Sequence, residues 1–311
     1  MRLRIKIVVH MLFEALEKML RKFGLALVRV RENRIENGSF AKGRSMIYKT
    51  GLDPVMTKIE LDRARILSFS LKSDIHSHVN VLALREALKS KDSGQRYNII
   101  KNVLVDYSLL NKQHRNILSE TIGLQSITID EPENTPPWFV IYPWADNVDV
   151  SKKIYLSNRS TLIENVKRGG PNLNADEGGS QHYLINKERA VFEAKLLNNL
   201  LLSIEEKGYQ PSAGNFDPVG AVLLIKSEEE WCWMVSGGIH RCCVLSALNY
   251  NEIDVSIKNV IYRDDVEDWP NVQNGYFDKE SALKVFDNVL DGHVSTHYRS
   301  WVKKYHGISQ V

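Results

Sequence analysis

Along residues 5–23, Ile5, Val8, Val9, Leu12, Leu16, Met19, Leu20 and Phe23 recur at spacings of three and four. That is the period of an amphipathic helix, and Gly24 is placed to stop it. Periodicity then fades over 32–53, where Asn33, Asn37, Gly38, Gly43 and Gly51 predict a loop. Residues 57–72 and 78–89 read as mixed to helical, 89–96 as a solvated connection, and 97–122 as a helix ending near Gly123. In EPENTPPWFVIYPWADN (131–147), prolines crowd Trp138 and Trp144 and exclude a regular helix. A short strand, Phe139 to Tyr142, is expected between two fixed turns. The run KRGGPNLNADEGGSQ (167–181) has no period and is either a mobile active-site loop or a linker. A domain boundary is placed at 169–185.

The pattern is clearest over 187–262. Ala190 to Lys207 carries Val191, Ala194, Leu197, Leu201 and Ile204 on one face and ends at Gly208, predicting a helix. VGAVLLI (219–225) is apolar throughout, as in a strand buried on both faces. A charged turn, Glu228 to Glu230, leads to a second strand, Trp231 to Val235. Ser236-Gly237-Gly238-Ile239-His240-Arg241 then opens a helix over 242–250, and 253–262 alternates as a third strand. After it, WPNVQNGYFDKESALKVFDNVLDG (269–292) predicts an Asp-capped helix within a C-terminal helical extension, 263–311.

Charge changes the picture only when it is divided along the chain. The 311 residues carry 41 Lys+Arg against 38 Asp+Glu, a net +3. Residues 1–31 hold eight basic and two acidic side chains, so residues 32–311 carry a net −3. The basic start predicts a helix that lies on an anionic membrane surface or docks on its own domain or a partner. The acidic remainder has the wrong sign for phosphate-backbone binding, and DNA is not an expected partner. Cys232, Cys242 and Cys243 are odd in number and lack metal-site spacing, which predicts a reducing compartment and no structural zinc. With no apolar run long enough to span a bilayer and no signal-peptide pattern, the expected location is cytoplasmic, with peripheral contact to the inner face of the membrane as an extension.

A strand, two glycines and a helix start define an anion site. The first helical N–H groups lack intrahelical acceptors, and the helix dipole is positive there. Gly237 and Gly238 let the backbone approach a ligand, and His240 and Arg241 add donors at the same place.

SGGIHRCCVLSALNYNEIDVSI resembles the nucleotide-binding signature of the ParB/sulfiredoxin-like fold, and the preceding helix, D-P-V and two strands follow the same order. The resemblance covers about 75 residues. It implies an α+β protein: a ParB/sulfiredoxin-like mixed α/β domain at 186–262 behind a mainly helical N-terminal region, 32–168. It also implies ATP or another nucleotide as ligand, with Mg2+. Sulfiredoxin has a redox cysteine where this chain has Ile239, so sulfiredoxin activity is not expected. The branch that resembles free-serine kinases fits better, and a small hydroxyl-bearing compound is the implied acceptor. Matching the helix ending S-I-E-E places Ser203 and Asn199 towards the nucleotide, with Lys195 on the same face; a plain solvated face is the alternative.

Phosphoryl transfer also needs a base near the acceptor. Asp217, before Pro218, is the candidate base or metal ligand, with a turn as its other reading; Glu205 and Glu206 are alternatives. Asp176 and Glu177 ride on the Gly-rich loop. Trp138 and Trp144 are candidates for a substrate-facing wall. His76, His78, His293 and His297 are read as surface residues. The expected function is a nucleotide-dependent small-molecule phosphotransferase. The basic leader, similar to those of bacterial surface-glycan biosynthesis proteins, suggests the pathway. The alternative is a non-catalytic nucleotide switch or partner-binding protein.

Overall fold

The computed structural model describes residues 54–306, apart from 73, 115–119, 121, 124–135, 137, 147–148 and 211–217. The helix expected over 5–23 and Asp217 fall outside the described residues. Three strands come first: β1 (Val55–Glu60), β2 (Ala64–Ile66) and β3 (Phe69–Ser70). Four helices follow: α1 (Val79–Leu88), α2 (Ser93–Gln113), α3 (Val150–Lys167) and α4 (Lys187–Lys207). The chain continues with β4 (Val219–Ile225), β5 (Trp231–Gly237), α5 (Ile239–Ala247) and β6 (Glu252–Tyr262). It closes with α6 (Pro270–Gln273), α7 (Lys279–Asp291) and α8 (Thr296–His306). The fold is mixed α+β around one sheet of order β1-β6-β4-β5-β2-β3.

Pairing is mixed. β4 runs parallel to β6 and antiparallel to β5, while β1 lies antiparallel to β6 and β2 parallel to β5. Helices cover both faces. Trp233, Val219 and Ala221 join one core with α1, α2, α4, α5 and α8, whereas Cys232, Leu224 and Ile261 join another with Trp269 and α7. Successive residues of β5 thus serve opposite cores, which is why WCWMV and VGAVLLI are apolar without alternation.

Two expectations for the N-terminal region are corrected. It is not mainly helical over 57–72, because it supplies β1, β2 and β3, half of the six strands. Leu61 and Ala64 mimic a helical spacing, but pairing with the distant β6 and β5 decides the local form. Nor do residues 169–185 divide the chain. The sheet joins strands from both sides of that loop, and the described residues fall in one compact unit. The loop is built in: the Asn165 amide donates to the carbonyls of Leu173 (2.7 Å) and Gly179 (3.2 Å), and Ala175 is buried.

The expected strand at Phe139–Tyr142 is also absent. The Asn271 amide donates to the carbonyls of Tyr142 (2.9 Å) and Ala145 (3.2 Å), so a side chain replaces a sheet ladder there. Helix α3 carries little pattern in the sequence because only Val150 and Asn165 on it are buried.

Candidate functional site: the Gly-Gly-Ile-His-Arg turn

β5 delivers the chain to Gly238, whose φ of +83° lies in the left-handed region, and α5 starts at the next residue. Gly238 is the cap and supplies no side chain to the first N–H groups of α5. A Cβ at Gly238 would lie 3.0 Å from Val219 Cγ2 and 3.1 Å from Arg241 Nη2. The Arg241 guanidinium therefore folds back over the cap of its own helix. Glycine here serves both the backbone angle and this close approach.

The neighbouring strands carry a second glycine. Gly220 of β4 stands opposite Gly237 of β5 and Ser256 of β6, at a register shift between Gly220 and Ala221. A Cβ at Gly220 would lie 2.5 Å from Ser236 Oγ and 3.2 Å from Lys258 Nζ. A hydroxyl and an ammonium thus stand together over Gly220, on the sheet face opposite the one that Val219 shares with α5. Ser236 and Lys258 are exposed, and residues 237–241 are half-buried. Tyr209 flanks the turn; burial raises its hydroxyl pKa, and the nearby Arg241 pulls it down. The backbone N–H groups at the start of α5 and the Arg241 guanidinium are donors of the kind that suit an oxyanion such as phosphate.

Beneath the turn lies a polar cluster. The His240 ring, 14% exposed at its side chain, places Nε2 on Oε1 of Glu193, which is fully buried on α4. The other carboxylate oxygen accepts from Arg189 Nη2 at 2.8 Å, and Asn80 Nδ2 approaches Oε1 at 3.4 Å. Arg189 Nη1 donates to Asn165 Oδ1 at 2.9 Å, so the network ends on the residue that ties down the Gly-rich loop. Burial pushes the Glu193 carboxyl up, but His240 and Arg189 outweigh it and bring the group to about 2.

Two more histidines sit in this cluster. His78, expected at the surface, is buried at the cap of α1, where Nδ1 accepts from Asn80 N at 3.2 Å. Burial, reinforced by His182, lowers its pKa to about 3. His182 is lowered to about 4, again first by burial, and its Nδ1 is buried without a partner. The surface readings hold better elsewhere. His76 and His293 are half-buried, and His297 is exposed and stacked on His114 at 3.8 Å between centroids. Among the described residues, no group of three or more His, Cys, Asp or Glu side chains is arranged to hold a metal ion.

The other candidates scatter. Asn199 and Lys195 are exposed and Ser203 is half-buried. At 100° per residue, Asn199 lies about 120° round α4 from Glu193, the residue that reaches the turn. Glu205 is committed to Arg96 of α2, at 2.8 and 2.9 Å. Trp138 and Trp144 are not a substrate wall, because both rings are buried. Trp138 Nε1 donates to Asp176 at 3.0 Å, and Trp144 packs on Tyr142, Trp269 and Phe286. Asp176 and Glu177 likewise serve the loop itself, Glu177 pairing with Asn174 through two 3.0 Å bonds. A separate cleft at the far, C-terminal end of α5 is lined by Glu60, Asp62, Lys72 and Arg85. It faces helix carbonyls and mixed charge, a poor match for an oxyanion.

Arg189, Glu193, His182 and Asn165 went unmarked in the sequence. The signal was present for one of them: Glu193 lies within the apolar stripe Ala190, Ala194, Leu197 and Leu201, where a charge has no place unless it is paired. No protein-family model, curated protein or solved structure matches the chain.

Proposed function

We propose that this chain is a nucleotide-dependent phosphotransferase with a ParB/sulfiredoxin-like nucleotide site. It would take ATP or another nucleoside triphosphate with Mg2+ and pass a phosphoryl group to a small hydroxyl-bearing acceptor. The observation that carries the reading is the Arg241 guanidinium folded back over Gly238 at the uncapped start of α5. Phosphoryl transfer depends on positioning and charge neutralisation, and the backbone N–H groups and the guanidinium at this turn suit both. The order α4, β4, β5, turn, α5, β6 supports the fold assignment, since it is the order that the signature requires.

A cysteine-based redox reaction fits poorly. Cys242 is fully buried, and burial pushes its thiol up to about 12, which removes the thiolate at neutral pH. Asp217 keeps its proposed part as base or magnesium ligand. Asn199 and Ser203 keep theirs on the nucleotide side only if the ligand extends along the outer face of α4. The basic start, 1–31, is proposed to bring the enzyme to an anionic membrane surface, in keeping with an acceptor from surface-glycan synthesis. No described helix is long and apolar enough to cross a membrane.

One observation favours the non-catalytic switch instead. His240 belongs both to the ligand turn and to the buried Glu193 network, so ligand binding would be felt in the core. Transfer of labelled γ-phosphate decides between the two. With MgATP and a pool of polyols, sugars and hydroxy amino acids, the enzyme reading expects labelled product from the native chain and none from Arg241→Ala. Tight nucleotide binding with no transfer to any acceptor would favour the switch.

A further inference from the structure

We infer that Glu193 positions His240 as the proton acceptor for the incoming hydroxyl, an assignment that rests on the phosphotransferase reading. His240 stands in the first turn of α5, beside the start of the helix where the phosphates are proposed to sit. Its Nε2 is occupied by Oε1 of Glu193, which leaves Nδ1 as the ring atom able to take a proton. A carboxylate with one oxygen on an imidazole, itself fixed by a second cation, is the arrangement that holds a catalytic histidine in one tautomer.

Glu193 is suited to positioning and unsuited to acting as the base itself. Arg189 holds its second oxygen, and no part of the residue reaches solvent. Glu193 stands on Nε2, His78 on the cap of α1 and His182 ahead of α4 lie within electrostatic reach of the ring, and Arg189 holds the far oxygen of Glu193. Cys243 of α5 faces His78, with Sγ 3.8 Å from Nδ1.

In the step inferred, the acceptor hydroxyl gives its proton to His240 Nδ1 while its oxygen attacks the terminal phosphorus. The new O–P bond forms as the bond from that phosphorus to the bridging oxygen breaks. The electron pair leaves with the nucleoside diphosphate. The imidazolium, neutralised by Glu193, then returns the proton to water.

The test is 15N NMR of the histidine rings in the full chain, titrated from pH 5 to 8.5. The expected neutral His240 ring carries its proton on Nε2. Its midpoint falls by about one pH unit in Glu193→Gln and partly recovers in Glu193→Asp. With MgATP and water as acceptor, the acid limb of the ADP-release profile moves down with it. The rate drops at least about tenfold at unchanged KM for ATP. A native ring protonated on Nδ1 overturns the positioning and needs no variant to fold. An unmoved midpoint in a folded Glu193→Gln does the same. The expected ring in a protein that MgATP does not stabilise would overturn the phosphotransferase reading, and the catalytic use of His240 with it.

Discussion

Arg189 and Glu193, one turn apart on α4, form an ion pair of 2.8 Å with side-chain exposures of 6% and 0%. The pair links the Gly-rich loop, through Asn165, to the ligand turn, through His240. Removing one partner leaves the other charged and buried. Arg189→Ala is therefore expected to cost about 3–5 kcal/mol, read as a lower urea midpoint at unchanged slope. A midpoint within error of the native chain would show that the pair carries no buried charge.

Acid should unfold this protein early. His78 and His182 have folded values of about 3 and 4 against an ordinary 6.5, and Glu193 about 2 against 4.5. A depressed value means that the unfolded chain binds the proton first. The histidines thus contribute stability above pH 6.5 that is lost as pH falls towards 4 and 3, and the carboxylate adds its loss from 4.5 towards 2. Between pH 6 and 4 the slope should approach two protons, about 2.7 kcal/mol per pH unit. Chemical unfolding at stepped pH checks this. A flat profile down to pH 5 would place both histidines in water.

Gly238→Ala combines a backbone and a contact penalty. The +83° φ disfavours any side chain, and the new Cβ meets Val219 and the Arg241 guanidinium. About 1–2 kcal/mol of stability should be lost, and ATP affinity should fall because Arg241 is displaced. Gly237→Ala has more room, with its nearest neighbour 3.9 Å away. Equal binding losses in the two variants would contradict the close approach at Gly238.

Lys258 offers a separable electrostatic test. It is exposed and stands over the sheet face opposite α5, so Lys258→Ala should leave stability within about 0.5 kcal/mol of native. Binding of a triphosphate should stay close to native, with the same dependence on salt. Titration calorimetry at two ionic strengths reads both quantities. A clear loss of affinity with a shallower salt dependence would bring Lys258 into the site.

Local pattern made the second half of the sheet legible. β4, β5, α5 and β6 follow from an apolar run, aromatic strand formers, a double glycine and an alternating segment. β1 and β2 were hidden because their form depends on partners about 190 and 170 residues away in sequence, respectively, and Leu61 and Ala64 imitate a helix. Trp138 and Trp144 suggested a binding wall, yet what buries them includes Trp269, Phe286 and Asp176, none of them close in the chain. At the site, Gly238 and Arg241 were readable from their order. Glu193 was not, because its helix reaches the turn only through the tertiary fold.

The most direct measurement is the thermal midpoint of the full chain with and without MgATP or MgCTP. A ligand that binds only the native state at 100 times its Kd adds about 2.7 kcal/mol. The account predicts a rise of several degrees for the native chain. It predicts none for Arg241→Ala. Midpoints that no nucleoside triphosphate moves, or that move equally in native and Arg241→Ala chains, would contradict the nucleotide site.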